Sequence, residues 1–184
     1  MRGDESRFFY GWAIVAAAFG LSFASGPGQS FAFSVFQPAI LRDLGLSATD
    51  FSLIYALGSG FSALAVLLVG PALDRFGSRA VTVALALLLV AGTTGMAVAN
   101  GFLSLLLALA LVRAIGQGCL MTTSQFLTSQ WFVSRRGHAL SLATMGVVTA
   151  NALLPPLTYA MVGQLGWRAT YLWLGTSIGA LVLG

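Results

Sequence analysis

The 184 residues include no lysine, one histidine (His138), one cysteine (Cys119) and five acids. A lone cysteine excludes an intrachain disulfide, and neither Cys119 nor His138 has a partner at metal-ligand spacing, so no metal or cofactor is expected. Asp4 and Glu5 lie in the N-terminal tail, Asp43 and Asp50 share one polar loop, and Asp74 lies in another. No carboxylate is therefore placed inside an apolar segment to relay protons. There is no glycine-rich phosphate loop, and no constellation that would make the chain an enzyme. Charged residues make up 8% of the chain, against roughly a quarter in soluble domains. The net charge of +4 comes from nine arginines against five acids, and all the arginines but Arg113 lie outside the apolar segments, forming no groove for nucleic acid.

What fills the chain instead is apolar: 58% of residues, with a mean hydropathy of +0.90. A soluble fold of this length cannot hide so much apolar surface, so lipid is the expected solvent. A helical span needs about 20 mostly apolar residues. Six segments qualify by position: residues 10–36, 49–73, 80–99, 102–130, 139–162 and 169–184. The first follows Arg2 and Arg7 like a signal peptide, but it is longer than a signal core and is read as a span. The sixth is short, which reads as truncation. The expected layout is a tail over 1–9 and an all-α, six-helix transmembrane bundle over 10–184.

The arginines orient the bundle. Arg2, Arg7, Arg75, Arg79, Arg135 and Arg136 fall on one side, and only Arg42 and Arg168 on the other. This positive-inside bias places the N-terminus in the cytoplasm of a multi-pass cell-membrane protein, expected in a bacterial inner membrane. The Asn100-Gly101 hairpin and residues 163–168 then face outward.

Breaks in the spans point to a site. Non-helical backbone at membrane depth is tolerated against protein or a wet cavity. The first span holds Ser25-Gly26-Pro27-Gly28-Gln29-Ser30, readable equally as a packing kink or as a cavity-lining break with Gln29 at its opening. The fourth holds Arg113 and Gly116-Gln117-Gly118. Interrupted helices at matching places in two repeats are a pointer to a transport site. Arg113 is far from either end of its span, where an arginine costs roughly 2.5–3.5 kcal/mol on insertion scales; it is expected to face the bundle interior or a water-filled path. At helical spacing Arg113, Gln117, Met121, Ser124 and Thr128 share one face. Tyr55, Ser59 and Ser62 form a second stripe, and Thr144, Asn151 and Thr158 a third. Ser59, Ser62, Thr144 and Thr158 are read as hydrogen-bonding glue between helices. Gln29, Gln117 and Asn151 are read as cavity residues.

The densest cluster of charge and glycine is Gly70-Pro71-Ala72-Leu73-Asp74-Arg75-Phe76-Gly77-Ser78-Arg79, read as a tight cytoplasmic turn over 70–79. Gly70, Asp74, Arg75, Gly77 and Arg79 resemble the signature between helices two and three of the major facilitator superfamily, with Ala72 and Ser78 as departures. The resemblance covers nearly the whole chain, as the N-terminal half of a twelve-span transporter. Tyr10-Gly11-Trp12, Phe33-Ser34-Val35-Phe36 and the stretch from Trp131 to Leu140 are similar to the monocarboxylate porter and oxalate/formate antiporter group. Arg113 with Gly118 resembles the fourth-helix arginine motif of proton-coupled members, although Gly116 stands where that motif often has glutamine.

The resemblance implies two inverted three-helix repeats, with substrate bound between this bundle and a second one. The partner bundle would be the missing C-terminal half or a second copy. It implies secondary active transport of a small anion, a mono- or dicarboxylate, by proton coupling or exchange. Arg113, Gln29, Gln117 and Asn151 would serve substrate or coupling, and Gly70, Asp74, Arg75, Gly77 and Arg79 a conformational latch. Two other readings stand beside it: proton-coupled efflux of drugs or metabolites, and a truncated, non-transporting membrane half-bundle.

Overall fold

The computed structural model describes residues 11–132 and 135–183. The expected tail, Tyr10, and Val133 and Ser134 of the porter-like stretch lie outside the described residues. Every regular element among the described residues is helical.

Helix α1 (Gly11–Ala24) gives way at Pro27 to a 3-10 turn over Gly26–Gly28, and α2 (Ser30–Leu44) resumes the path. Proline removes a backbone donor and crowds the preceding turn, so the break falls where the sequence placed it. The helical path continues past the expected end at residue 36, carrying Pro38 within it, and stops at Gly45 in the left-handed conformation (φ 63°). Asp43 thus belongs to the last turn of α2 rather than to a loop.

Helix α3 (Ala48–Val98) opens with a capping box: Ser47 Oγ accepts from the Asp50 amide, and Asp50 Oδ2 accepts from the Ser47 amide. Asp50, read as a loop residue, therefore caps a helix N-terminus, where a carboxylate also meets the positive end of the dipole. The stretch from Gly70 to Arg79 is not a turn throughout. It is helical up to Phe76, and the direction changes at Gly77 (φ 78°, ψ 159°). Only glycine adopts that conformation without strain. Helix α4 (Phe102–Arg113) passes into a π-helical segment over Ala114–Leu120 and then into α5 (Met121–Trp131). Helix α6 (Arg136–Leu183) breaks once, at Gly166 (φ 79°, ψ 163°), the same conformation as Gly77.

The most extensive packing joins α3 with α4 and α1 with α6. The buried centre includes Phe33, Phe36, Ile54, Leu89, Leu109 and Tyr171. Leu67, Leu68, Val98 and Tyr159 are at least 70% exposed. The stretches Ala48–Val98, Phe102–Trp131 and Arg136–Val182 are each long and apolar enough to cross a membrane. Exposed apolar side chains in such helices find their solvent in lipid.

At one end of the bundle, Trp12 packs edge-on against Phe132, and Val15, Phe132 and Ala139 form a small cluster. At the other, Arg168 Nη1 donates to Asp43 Oδ2 and Nη2 donates to Ala99 O at 2.9 Å. Trp167 Nε1 donates to the same Asp43 oxygen at 3.2 Å. The corners after α2, after α3 and at the α6 break are thereby tied together.

Candidate anion site

Arg113 closes α4 and is 4% exposed. Its Nε and Nη1 have no hydrogen-bond partner. The guanidinium carbon lies 4.1 Å from the Tyr55 ring centroid and 5.6 Å from that of Phe33. Cation–π contact offsets part of the cost of burying the charge, by about 2 kcal/mol for a desolvated pair. It leaves the N–H edge free, and an unpaired buried cation is expensive. The only other buried side-chain nitrogen or oxygen without a partner among the described residues is the Tyr171 hydroxyl.

Two irregular segments place this cation. The π segment starts at the residue after Arg113, and Ser62 Oγ of α3 donates to the Arg113 carbonyl at 3.2 Å. Opposite lies the 3-10 turn. A Cβ added at Gly116 would meet Gly28 Cα at 2.8 Å and Ser25 O at 2.9 Å. A Cβ at Gly28 would meet Gly116 Cα at 2.8 Å. The backbones of the two broken helices thus touch directly, which requires glycine on both sides.

The π segment also overturns the single polar stripe read at a 3.6 period. Its i→i+5 bonding puts extra residues into the turn and rotates α5 relative to α4. Arg113, Ser124 and Thr128 are buried, while Gln117 is exposed. Ser124 Oγ donates to Ala18 O at 2.7 Å and lies 2.8 Å from Ser22 Oγ, so it stitches α5 to α1. Of the four hydroxyls read as interhelical glue, Ser62 alone crosses to another helix. Ser59, Thr144 and Thr158 donate to Tyr55 O, Leu140 O and Leu154 O of their own helices. The carbonyl four residues back is always within reach of a helical hydroxyl.

Gln29, half-buried, donates from Nε2 to Ser25 Oγ at 3.1 Å within the broken segment. Asn151 is exposed on α6, next to Ala150, which packs against Gly26. Among the described residues none of Gln29, Gln117 and Asn151 hydrogen-bonds Arg113 or each other; the contacts of Arg113 are with Tyr55 and Phe33, which no spacing rule singles out as its partners. At the signature stretch, Asp74, Arg75 and Arg79 are exposed, and Asp74 has no ion pair among the described residues. The Arg75 guanidinium lies over the Phe76 ring at 5.3 Å.

The profile of the Major Facilitator Superfamily matches residues 13–184. The chain belongs to the major facilitator superfamily. It is 29% identical over 154 residues to a probable sulfoacetate transporter of Cupriavidus necator, an alignment covering 82% of this chain and 35% of that protein. It is 30% identical over 171 residues to monocarboxylate transporter 3 of Rattus norvegicus, covering 90% of this chain and 34% of the relative. It is 27% identical over 175 residues to a fujikurins efflux protein of Gibberella fujikuroi, covering 94% and 37%. The chain thus spans about a third of the length of these relatives. With its apolar helices, superfamily membership makes it a multi-pass membrane protein of a transporter family. The relatives are transporters, not enzymes, in keeping with the lack of a catalytic constellation.

Proposed function

We propose that this chain forms the N-terminal half of a secondary transporter that moves a small mono- or dicarboxylate by alternating access, coupled to protons or by exchange. The observation that carries the reading is the guanidinium edge of Arg113, buried and unpaired beside two broken helices. An anion is the chemistry that completes it. The names of two relatives, a sulfoacetate and a monocarboxylate transporter, support the same class.

The breaks at Gly77 and Gly166 divide α3 and α6, which supports reading the described path as six crossings in two sets of three. Each set has an irregular first member, at Gly26–Gly28 and at Ala114–Leu120, and a glycine break of matching φ between its second and third. That correspondence supports two inverted repeats. Gln29, Gln117 and Asn151 would offer uncharged hydrogen bonds around the anion. A second bundle, the remainder of the protein or another copy, would close the site. The arginine bias supports a cytoplasmic side for the N-terminus and the Gly77 corner.

The test is uptake of labelled carboxylates by cells expressing the complete gene. Arg113→Ala should lower uptake on the order of tenfold or more at equal surface expression, since it removes the charge the anion would pair with. Unchanged uptake of every carboxylate would remove Arg113 from the mechanism. Similarity to a fujikurins efflux protein favours a second reading, proton-coupled efflux of a drug or metabolite. Accumulation of such compounds in cells carrying a disrupted gene, with carboxylate uptake unaltered, would select it.

A further inference from the structure

A cavity of about 460 Å³ lies between α5 and the first turns of α6. Its walls carry Thr122, Gln125 and Ser129 from α5, and Arg136, Leu140 and Thr144 from α6. Residues at steps of three and four share one face of a helix, so two largely polar faces meet across this space. Polar and ionisable side chains on membrane helices face protein or water rather than acyl chains. The cavity has room for a small anion with its water, since one water takes about 30 Å³.

The donors in this lining are few and uncommitted. Thr122 Oγ1 donates to Gly118 O, Ser129 Oγ to Phe126 O and Thr144 Oγ1 to Leu140 O, each at 2.9 Å. Those hydroxyl protons are held by backbone, and the remaining lone pairs suit water. Arg136 and Gln125 are exposed, and neither has an ion pair or a side-chain hydrogen bond among the described residues. No acid lines the space. A guanidinium and an amide with no carboxylate opposite them select an anion. Thr122 lies past the π segment, about 13 Å from Arg113 along the axis at roughly 1.5 Å per residue. Arg136 begins α6 at the end of the bundle marked by the Trp12–Phe132 contact, the end that the arginine bias supports as cytoplasmic. The cavity thus lies between the buried cation and that end, too far from Arg113 for one small anion to touch both. On the α2–α3 side the rings of Phe33 and Tyr55 cover the cation, with the Tyr55 hydroxyl 2.6 Å from Ser30 Oγ.

We propose that this cavity is a second, inner anion subsite, where Arg136 with Gln125 holds the transported carboxylate on its way between the cytoplasm and Arg113. The inference rests on the carboxylate reading above and adds a separate station to it. A fixed positive charge at the mouth of a polar cavity raises the local concentration of anions and their rate of entry from that side. The subsite therefore acts on one face of the membrane only, whereas Arg113 serves both.

The experiment measures counterflow in membrane vesicles from cells expressing the complete gene, prepared right-side-out and inside-out. Labelled acetate, malonate and sulfoacetate are the probes, and the one moved fastest is carried through. Arg136→Gln should raise its half-saturating concentration in inside-out vesicles roughly threefold or more and leave right-side-out vesicles unchanged. Gln125→Ala should shift it in the same direction by less. Arg135→Gln removes an exposed charge that does not line the cavity and should leave both orientations unchanged. No change in Arg136→Gln, a change of equal size in both orientations, a change confined to right-side-out vesicles, or an equal effect of Arg135→Gln overturns the inner subsite. Arg113→Gln separates this from the reading beneath it. Loss of counterflow in both orientations in that variant upholds the carboxylate reading whatever Arg136 does. Wild-type counterflow in Arg113→Gln, or no counterflow of any of the three acids by the wild type, brings down that reading and the inner subsite together.

Discussion

Arg168 reaches from the break in α6 to Asp43 at the end of α2 and to the Ala99 carbonyl after α3, with its guanidinium 4.4 Å from the Trp167 ring centroid. The Arg168 hydrogen bond, and then that of Trp167, hold the Asp43 carboxyl below its ordinary value of 3.8. A depressed folded-state value means that the ion pair contributes stability above the unfolded value, and that this is lost as pH falls through the folded one. Asp43 is exposed, so the effect is modest and screened by salt. The wild type should melt above Asp43→Asn at neutral pH, and the gap should begin to narrow as pH falls below about 4 and go on narrowing as Asp43 protonates. Thermal melts of the two proteins across pH, in low salt, check this; a gap independent of pH would mean the pairing is not electrostatic. Sequence reading assigned Arg168 to topology alone, because a charge count cannot show which loops meet. Arg113 was legible at this scale, since depth within an apolar run is a one-dimensional property.

The two irregular segments, the 3-10 turn and the π segment, define the element scale. Gly-Pro-Gly in the first span and Gly-Gln-Gly in the fourth marked both positions, because glycine and proline alter the backbone whatever surrounds them. What the spacing did not carry was the kind of break. A π segment keeps the chain helical but changes its period, and so it moves Gln117 to the surface while Arg113 stays buried. Backbone contact between Gly28 and Gly116 leaves no room for a methyl group. Gly116→Ala should destabilise the protein by about 1–3 kcal/mol, the usual cost of overpacking. Gly60→Ala, where an added Cβ meets nothing within 4 Å, is the control and should be close to neutral. Unfolding midpoints in detergent compare the two. Equal midpoints would show that the helices separate at no cost.

For the whole molecule, the proposed second bundle would give the exposed charges of the signature stretch a surface to meet. Asp74 sits on the last turn of helix before Gly77, exposed and without an ion pair among the described residues. A carboxylate there can meet the N-terminus of a facing helix or an arginine on the second bundle. We predict that Asp74→Asn shifts the product of the complete gene toward the inward-facing state. Cysteine-accessibility labelling from the two sides of the membrane reads the shift, and unaltered labelling would count against the latch.

The amino-acid sequence by itself determined the solvent, the helical class, the places where the spans break and the superfamily. Apolar run length, charge sparsity and the positions of glycine and proline set these, and all three act along the chain. The tertiary structure decided which side chains meet: Tyr55 over Arg113, Ser30 against Tyr55, and Arg168 across Asp43 and Ala99. Such pairings depend on which helices cross and on how far each is rotated about its axis. Here the rotation is set by a π segment that a 3.6-residue period cannot register, and by glycine contacts that let two backbones touch.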